Sequence, residues 1–290
     1  MAHRIEFQVD GTRVVGELHV PAGDGPFPAV ITGGPMTSVK EQVTGTYAAA
    51  MAERGFAALA IDHRHYGESG GEPRQYEYHV HKIEDLIAAV DVLSEQDGVD
   101  SDRLGAVGIC LGSGYLAHAI QGLPSVKGFV AVAGYYRDVP AIRKADPTWF
   151  AARVSEGVAA RHTYERTGVV DTIPAAALDG DAAMDLQSTY DYYTDRAAHP
   201  NYVNAFAVMS REPFLQFDVQ RAAPGLTQPF LMVHSDNALH PDWADAFYRA
   251  VPGEKARHRI ESEGQTDIYD DPRIVSDVAD RVAAFLGRVL

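Results

Sequence analysis

The chain has one cysteine, Cys110, in 290 residues. That excludes an intramolecular disulfide and any metal site built from several thiolates. Basic residues are also scarce, with 25 Lys and Arg against 40 Asp and Glu and a formal charge of −15. Such a balance leaves no broad basic face, so neither nucleic acid nor an anionic membrane surface is expected as a partner. A small neutral or masked-acid substrate is expected instead. No run reaches the roughly 18 apolar residues of a membrane span, and the opening MAHRIEFQVDG has no apolar signal-like core. The expectation is a cytoplasmic protein without cofactor or metal, its oligomeric state open and a homodimer compatible. Internal repeats and low-complexity segments are lacking too.

What is present is enough apolar material for a large core, at 46% hydrophobic residues. The pattern is organised around Ala106 to Gly114, AVGICLGSG, with Gly108, Cys110 and Gly112 at its centre. An apolar strand running into a glycine-flanked nucleophile and then a helix has the form of a nucleophile elbow. The helix would point free N–H groups and its positive end at the sulfur, which predicts a thiolate-prone, readily alkylated cysteine. Against this stands the ordinary reading of a lone cysteine as a small buried hydrophobe. The strand before it and the helix after it favour the elbow.

Around this stretch the chain alternates strand and helix. RIEFQVDG and RVVGELHVP read as a hairpin turning at Asp10-Gly11. Strands follow at PFPAVITGG, FAALAIDHR, the segment leading to Cys110, VKGFVAVAG, QPFLMVHSD and ARHRIESE. Helices are expected over about 40–54, 78–93, 242–251 and from 272 onward, from apolar residues three and four apart. Continuous apolar strands separated by helices imply a parallel sheet covered on both faces, an α/β fold.

The rhythm breaks over 135–226, which reads as a helical, aromatic, strandless insertion: a lid on a core made of 1–134 and 227–290. Tyr135, Tyr136, Trp149, Tyr192 and Tyr193 either line a substrate pocket there or fill the insertion's own core.

Taken together, SVKEQ, DHRHYGESGGEPRQ, GICLGSG, HSDNALHP and EGQTDIYD, in that order, resemble the α/β-hydrolase superfamily over the whole chain. The similarity is to the branch of dienelactone hydrolases and polyketide acyltransferases. The resemblance implies that Cys110 is the nucleophile, that Asp236 is the acid, and that the N–H groups of Leu111 and Met36 form the oxyanion hole. It also implies a histidine just before TDIYD, and there the sequence has Gln265. Glutamine cannot take a proton at neutral pH. His240 is the favoured replacement base. His63 and His65 are weaker candidates, His234 is read as satisfied in the core, and His79 and His81 as surface residues.

A missing imidazole removes a contribution of about 10²- to 10⁴-fold. Activated acyl groups such as thioesters and strained lactones are therefore expected over amides and plain esters. Three readings stay open: acyl transfer through Cys110 as hydrolase, thioesterase or acyltransferase on a small or polyketide-like acyl group; an isomerase, cyclase or lyase using the oxyanion hole alone; and a binding protein with lost chemistry. On the first, Gln265→His is expected to find Asp236 waiting to orient it and to speed deacylation.

Overall fold

The computed structural model describes residues 2–290. Met1, the first residue of the expected core segment 1–134, lies outside the described residues. The hairpin forms as read: β1 (Ala2–Val9) pairs antiparallel with β2 (Thr12–His19). Asp10 and Gly11 between them have φ of 48° and 74°, the consecutive left-handed pair of a type I′ turn.

In chain order follow β3 (Phe27–Gly33), α1 (Val43–Ala52), β4 (Ala57–Asp62), α2 (His79–Ser94), β5 (Val99–Ile109), α3 (Gly112–Ala119) and β6 (Val126–Val132). Helix α1 starts three residues later than the apolar pattern suggests. Lys40 is held elsewhere: its N–H donates to Asp62 Oδ1 at 2.7 Å and its ammonium meets Glu41, Asp62 and Glu68 at 2.6–2.9 Å. Those three carboxylates converge as a metal site's would, but the ammonium sits among them.

Residues 135–226 then contribute α4 (Val139–Ala145), α5 (Pro147–Thr167), β7 (Thr172–Ile173), α6 (Gln187–Asp191), β8 (Phe206–Ala207) and α7 (Arg211–Gln216). The expectation of a strandless insertion is corrected, since β7 and β8 pair antiparallel. Two-residue strands are too short to leave an alternation in the sequence. Each of α4 and α5 starts at a caught N-cap: Asp138 accepts from the Ala141 N–H and Asp146 from the Trp149 N–H, both at 2.8 Å.

The sheet resumes with β9 (Phe230–His234), α8 (Pro241–Ala250), β10 (Lys255–Arg259), the single turn α9 (Asp267–Asp270) and α10 (Pro272–Val289). The eight strands lie in the order β1-β2-β4-β3-β5-β6-β9-β10. Only β2 runs against the others. The central strands β3, β4, β5 and β6 are buried over most of their length, which is why they read as unbroken apolar runs. The loops after the carboxyl ends of β3, β5 and β6 bring Met36, Cys110 and Tyr135 to one cavity.

Candidate active site

Cys110 sits between β5 and α3 with φ of 54°, a left-handed conformation that is strained for a side chain larger than glycine's. The two flanking glycines make the turn possible. A Cβ on Gly108 would stand 2.5 Å from Ser113 Cα, and one on Gly112 would stand 2.1 Å from the Gly33 carbonyl oxygen. The Cys110 N–H is fixed to Val132 O at 3.1 Å and its carbonyl takes the Tyr135 N–H at 3.0 Å. Strand, turn and the loop after β6 therefore hold the thiol from three sides.

Gln265 is 4% exposed and fixed at both ends of its amide. Its Oε1 accepts the Leu239 N–H at 3.0 Å, and its Nε2 donates to Ala133 O at 2.7 Å and to the Tyr269 hydroxyl at 3.0 Å. Tyr269, buried at 2% on α9, lines the cavity with Cys110, and its hydroxyl, then the Leu111 N–H and the Gln265 amide, each act to lower the thiol's pKa. The sequence reading missed Tyr269. Its only signal was the step of four from Gln265, one helical turn, inside a segment otherwise valued for a histidine it lacks.

The expected thiolate is not favoured. Burial pushes the Cys110 thiol up, Glu77 adds to the rise, and the donors Tyr269, Leu111 and Gln265 offset only part of it. The helix end is present, but Cys110 is 6% exposed and desolvation prevails.

The loop after β3 supplies the second half of a candidate oxyanion hole. Met36 lines the same cavity as Cys110, and among the described residues neither its N–H nor that of Leu111 donates to an oxygen. The loop is tied down one residue later, where the Thr37 N–H donates to Glu77 Oε2 at 2.9 Å. Fully buried Glu77 also takes the hydroxyls of Tyr66 at 2.8 Å and Tyr115 at 2.5 Å and pairs with Lys82 at 2.7 Å. Burial alone would raise its carboxyl, but the charge of Lys82 and the donors hold it below the usual range. One carboxylate thus joins the loop after β3, the loop after β4 and the helix that follows Cys110.

Asp236 does not take the acid's place. It is exposed, ion-paired with Arg259 on the neighbouring β10, and Gln265 Oε1 is occupied by Leu239 instead. His240 lines the cavity, but its ring is stacked on Trp243 at 3.7 Å with Tyr135 beyond it at 5.7 Å. Burial, with Arg137 next, lowers its pKa.

The other histidines lie apart from the cavity lining. His63 pairs with Asp85 at 3.2 Å, and His65 meets His81 at 2.7 Å. His79 is half-buried against Phe217, and His81 half-buried too, which corrects the surface reading of both. His234 is buried with neither ring nitrogen bonded among the described residues, which corrects the satisfied reading, and burial pushes it down to about 4.

The cavity above Cys110 has a volume of about 750 Å³. Its lining includes Met36, Cys110, Gln265 and Tyr269 and, from residues 135–226, Tyr135, Trp149, Tyr193 and Phe214. Tyr136 and Tyr192 are corrections, for neither reaches the lining. Tyr136 packs under it on Phe247, and Tyr192 packs edge-on against Tyr193 and Tyr269.

The family model described as serine aminopeptidase, S33, matches residues 40–267. The protein YcjY of Escherichia coli (strain K12) is 33% identical over 91% of this chain and 89% of its own length. PA2218 of Pseudomonas aeruginosa is 30% identical over 97% of this chain and 78% of its own. Its crystal structure superposes with a TM-score of 0.83, covering 100% of this chain and 94% of that one. The thiohydrolase aneE of Aspergillus aculeatus is 36% identical over 106 residues, 36% of this chain and 33% of that protein. The fold is the α/β-hydrolase fold.

Proposed function

The chain belongs to the serine aminopeptidase S33 family of α/β hydrolases, and from that premise, which supports a hydrolytic enzyme, we propose an acyl-transfer enzyme that uses Cys110 on activated acyl groups. The family's name speaks of a serine enzyme; on this reading the thiol of Cys110 acts as the nucleophile and the amide of Gln265 stands where a histidine is expected. The observation that carries the reading is a Gln265 amide immobilised at both ends and bonded to the Tyr269 hydroxyl, both residues lining the cavity that Cys110 lines.

On a thioester, the Cys110 sulfur attacks the carbonyl carbon and the N–H groups of Leu111 and Met36 take the oxyanion. The thiol proton passes to the Tyr269 oxygen as the tyrosine's own proton passes to the departing sulfur. The carbon–sulfur bond to the leaving group breaks, and a free thiol departs from an acyl-Cys110 enzyme. Tyr269 is no base by itself: burial and the neighbouring Cys110 hold its hydroxyl well above the ordinary tyrosine value. It serves as a relay only when the leaving group accepts a proton as the thiol gives one up. Thiolates and enolic or strained-lactone alkoxides meet that condition; amide nitrogen does not, since it must be protonated before it leaves. The name of the partly matching thiohydrolase agrees with a thioester substrate.

The test is intact-protein mass spectrometry after mixing with an N-acetylcysteamine thioester of a short acyl chain. A single acyl mass on the wild type and none on Cys110→Ala is expected. Tight binding of the same compound with no mass shift would sink the covalent reading and favour a non-covalent enzyme or a binding protein on this fold.

A further inference from the structure

Arg137, five residues beyond the end of β6, borders the cavity and is 3% exposed. Its Nε and Nη2 are buried with no hydrogen-bond partner among the described residues, and none of their carboxylates lies within ion-pair distance. The other two arginines of the lining are satisfied: Arg153 and Arg211 each pair with Glu156 and Asp181, at 2.5–3.1 Å. Asp146, also in the lining, is engaged as the N-cap of α5. Arg137 is thus the one arginine of the cavity left without a counter-charge among the described residues.

A guanidinium cannot shed its proton to escape burial, and an isolated buried charge is costly. The surroundings stabilise the cation only through ring faces. Its central carbon lies 4.0 Å from the centroid of the Phe214 ring and 5.6 Å from that of Tyr135. Rings cover faces; the N–H groups of a guanidinium lie in its plane and remain unused. What completes such a group is a planar acceptor with two oxygens approaching edge-on, the geometry of a carboxylate. The backbone is pinned, the Arg137 carbonyl accepting the Val219 N–H at 3.0 Å, while the fork has no ion pair to hold it back from the cavity.

We infer that this cavity takes an acyl substrate bearing a second, free carboxylate, such as the monothioester or half-ester of a dicarboxylic acid, with that carboxylate seated on Arg137. The inference rests on the acyl-pocket reading above and adds the substrate class to it. It also accounts for an acidic protein keeping an uncompensated cation in the cavity of its candidate nucleophile.

The experiment is calorimetric titration of the Cys110→Ala chain, which cannot be acylated, with the monomethyl esters of succinate through suberate and with the matching dimethyl esters. At the chain length that fits, the monoester is expected to bind at least about tenfold more tightly than its diester, as for a charge-assisted bidentate contact. The preference should vanish in Cys110→Ala/Arg137→Met and fall without vanishing in Cys110→Ala/Arg137→Lys, which keeps the charge but not the fork. The Met variant should also melt no lower than its parent without ligand, because it removes an unpaired buried charge. Monoesters binding no better than diesters at every length would overturn the inference, as would an undiminished preference in the Met variant. A large drop in melting temperature for that variant would overturn it too, by making Arg137 a structural residue. Because the readout is binding to a chain without the thiol, it is independent of whether the wild type forms an acyl-enzyme.

Discussion

The Tyr269 hydroxyl accepts a hydrogen bond from Gln265 Nε2 at 3.0 Å in the cavity that Cys110 also lines. The amide therefore fixes the phenol beside the thiol's cavity, and the phenol holds the thiol's pKa down. Tyr269→Phe removes only the oxygen and keeps the ring that packs on Tyr192. Acylation by a thioester should slow by about 10²-fold, the low end of what a proton-transferring group contributes. The rate of acyl mass gain measures it; an unchanged rate would remove Tyr269 from the chemistry.

A second prediction concerns pH. Because burial raises the Cys110 pKa, the thiol form dominates at neutral pH. Alkylation by iodoacetamide at pH 7 should be slower than that of a small free thiol and should climb as pH passes above the ordinary thiol value. The same shift links to stability. The folded state prefers the protonated sulfur, so its contribution is full below the unfolded pKa and is lost as pH rises through the higher folded pKa. Alkylation faster than a free thiol at pH 7 would mean that the helix end and the donors outweigh desolvation.

Much of this was legible in the sequence, for reasons that differ by residue. The elbow could be read because Gly108 and Gly112 are demanded by backbone contacts under 3 Å, which no other residue survives. The sheet could be read because its central strands are buried on both faces. Asp236 was misplaced because chain order puts an acid after β9 but says nothing about the next strand. β10 runs parallel beside β9 and brings Arg259 into register with His234, and that arginine captures the carboxylate. Arg137 and Glu77 left no trace, because their importance lies in partners remote in sequence or missing. Glu77 collects a backbone amide from residue 37 and a hydroxyl from residue 115, which no local pattern encodes.

Glu77→Gln supplies a third prediction. The change strands the ammonium of Lys82, which is 1% exposed, and breaking a buried pair from one side costs about 3–5 kcal/mol. Denaturant unfolding should report a loss of that order. The carboxyl is held below its usual range, so its contribution is present above the unfolded pKa and lost as pH falls through the folded one. The gap between wild type and variant should accordingly narrow in strong acid. A gap that stays constant down to the acid transition would mean that Glu77 is not ionised in the fold.

The last prediction concerns Gln265→His. From the order of residues, an imidazole there would be oriented by Asp236 and would restore a base. The geometry argues otherwise. Asp236 is exposed and engaged with Arg259, and the group facing the outer end of the Gln265 amide is the Leu239 N–H, a donor. An imidazole in the amide's place would accept that N–H at one ring nitrogen, which fixes the proton on the other. The nitrogen turned toward Cys110 would then be an N–H, the wrong tautomer to take a proton from the thiol or from water. Triads work because their acid accepts where this backbone donates. Gln265→His should therefore raise deacylation far less than the roughly 10²- to 10⁴-fold of a working base. Single-turnover decay of the acyl mass, in wild type and variant side by side, decides it. A hundredfold acceleration would mean that the loop after β9 rearranges to swing Asp236 behind the imidazole, and the fixed Leu239 contact would have to be given up.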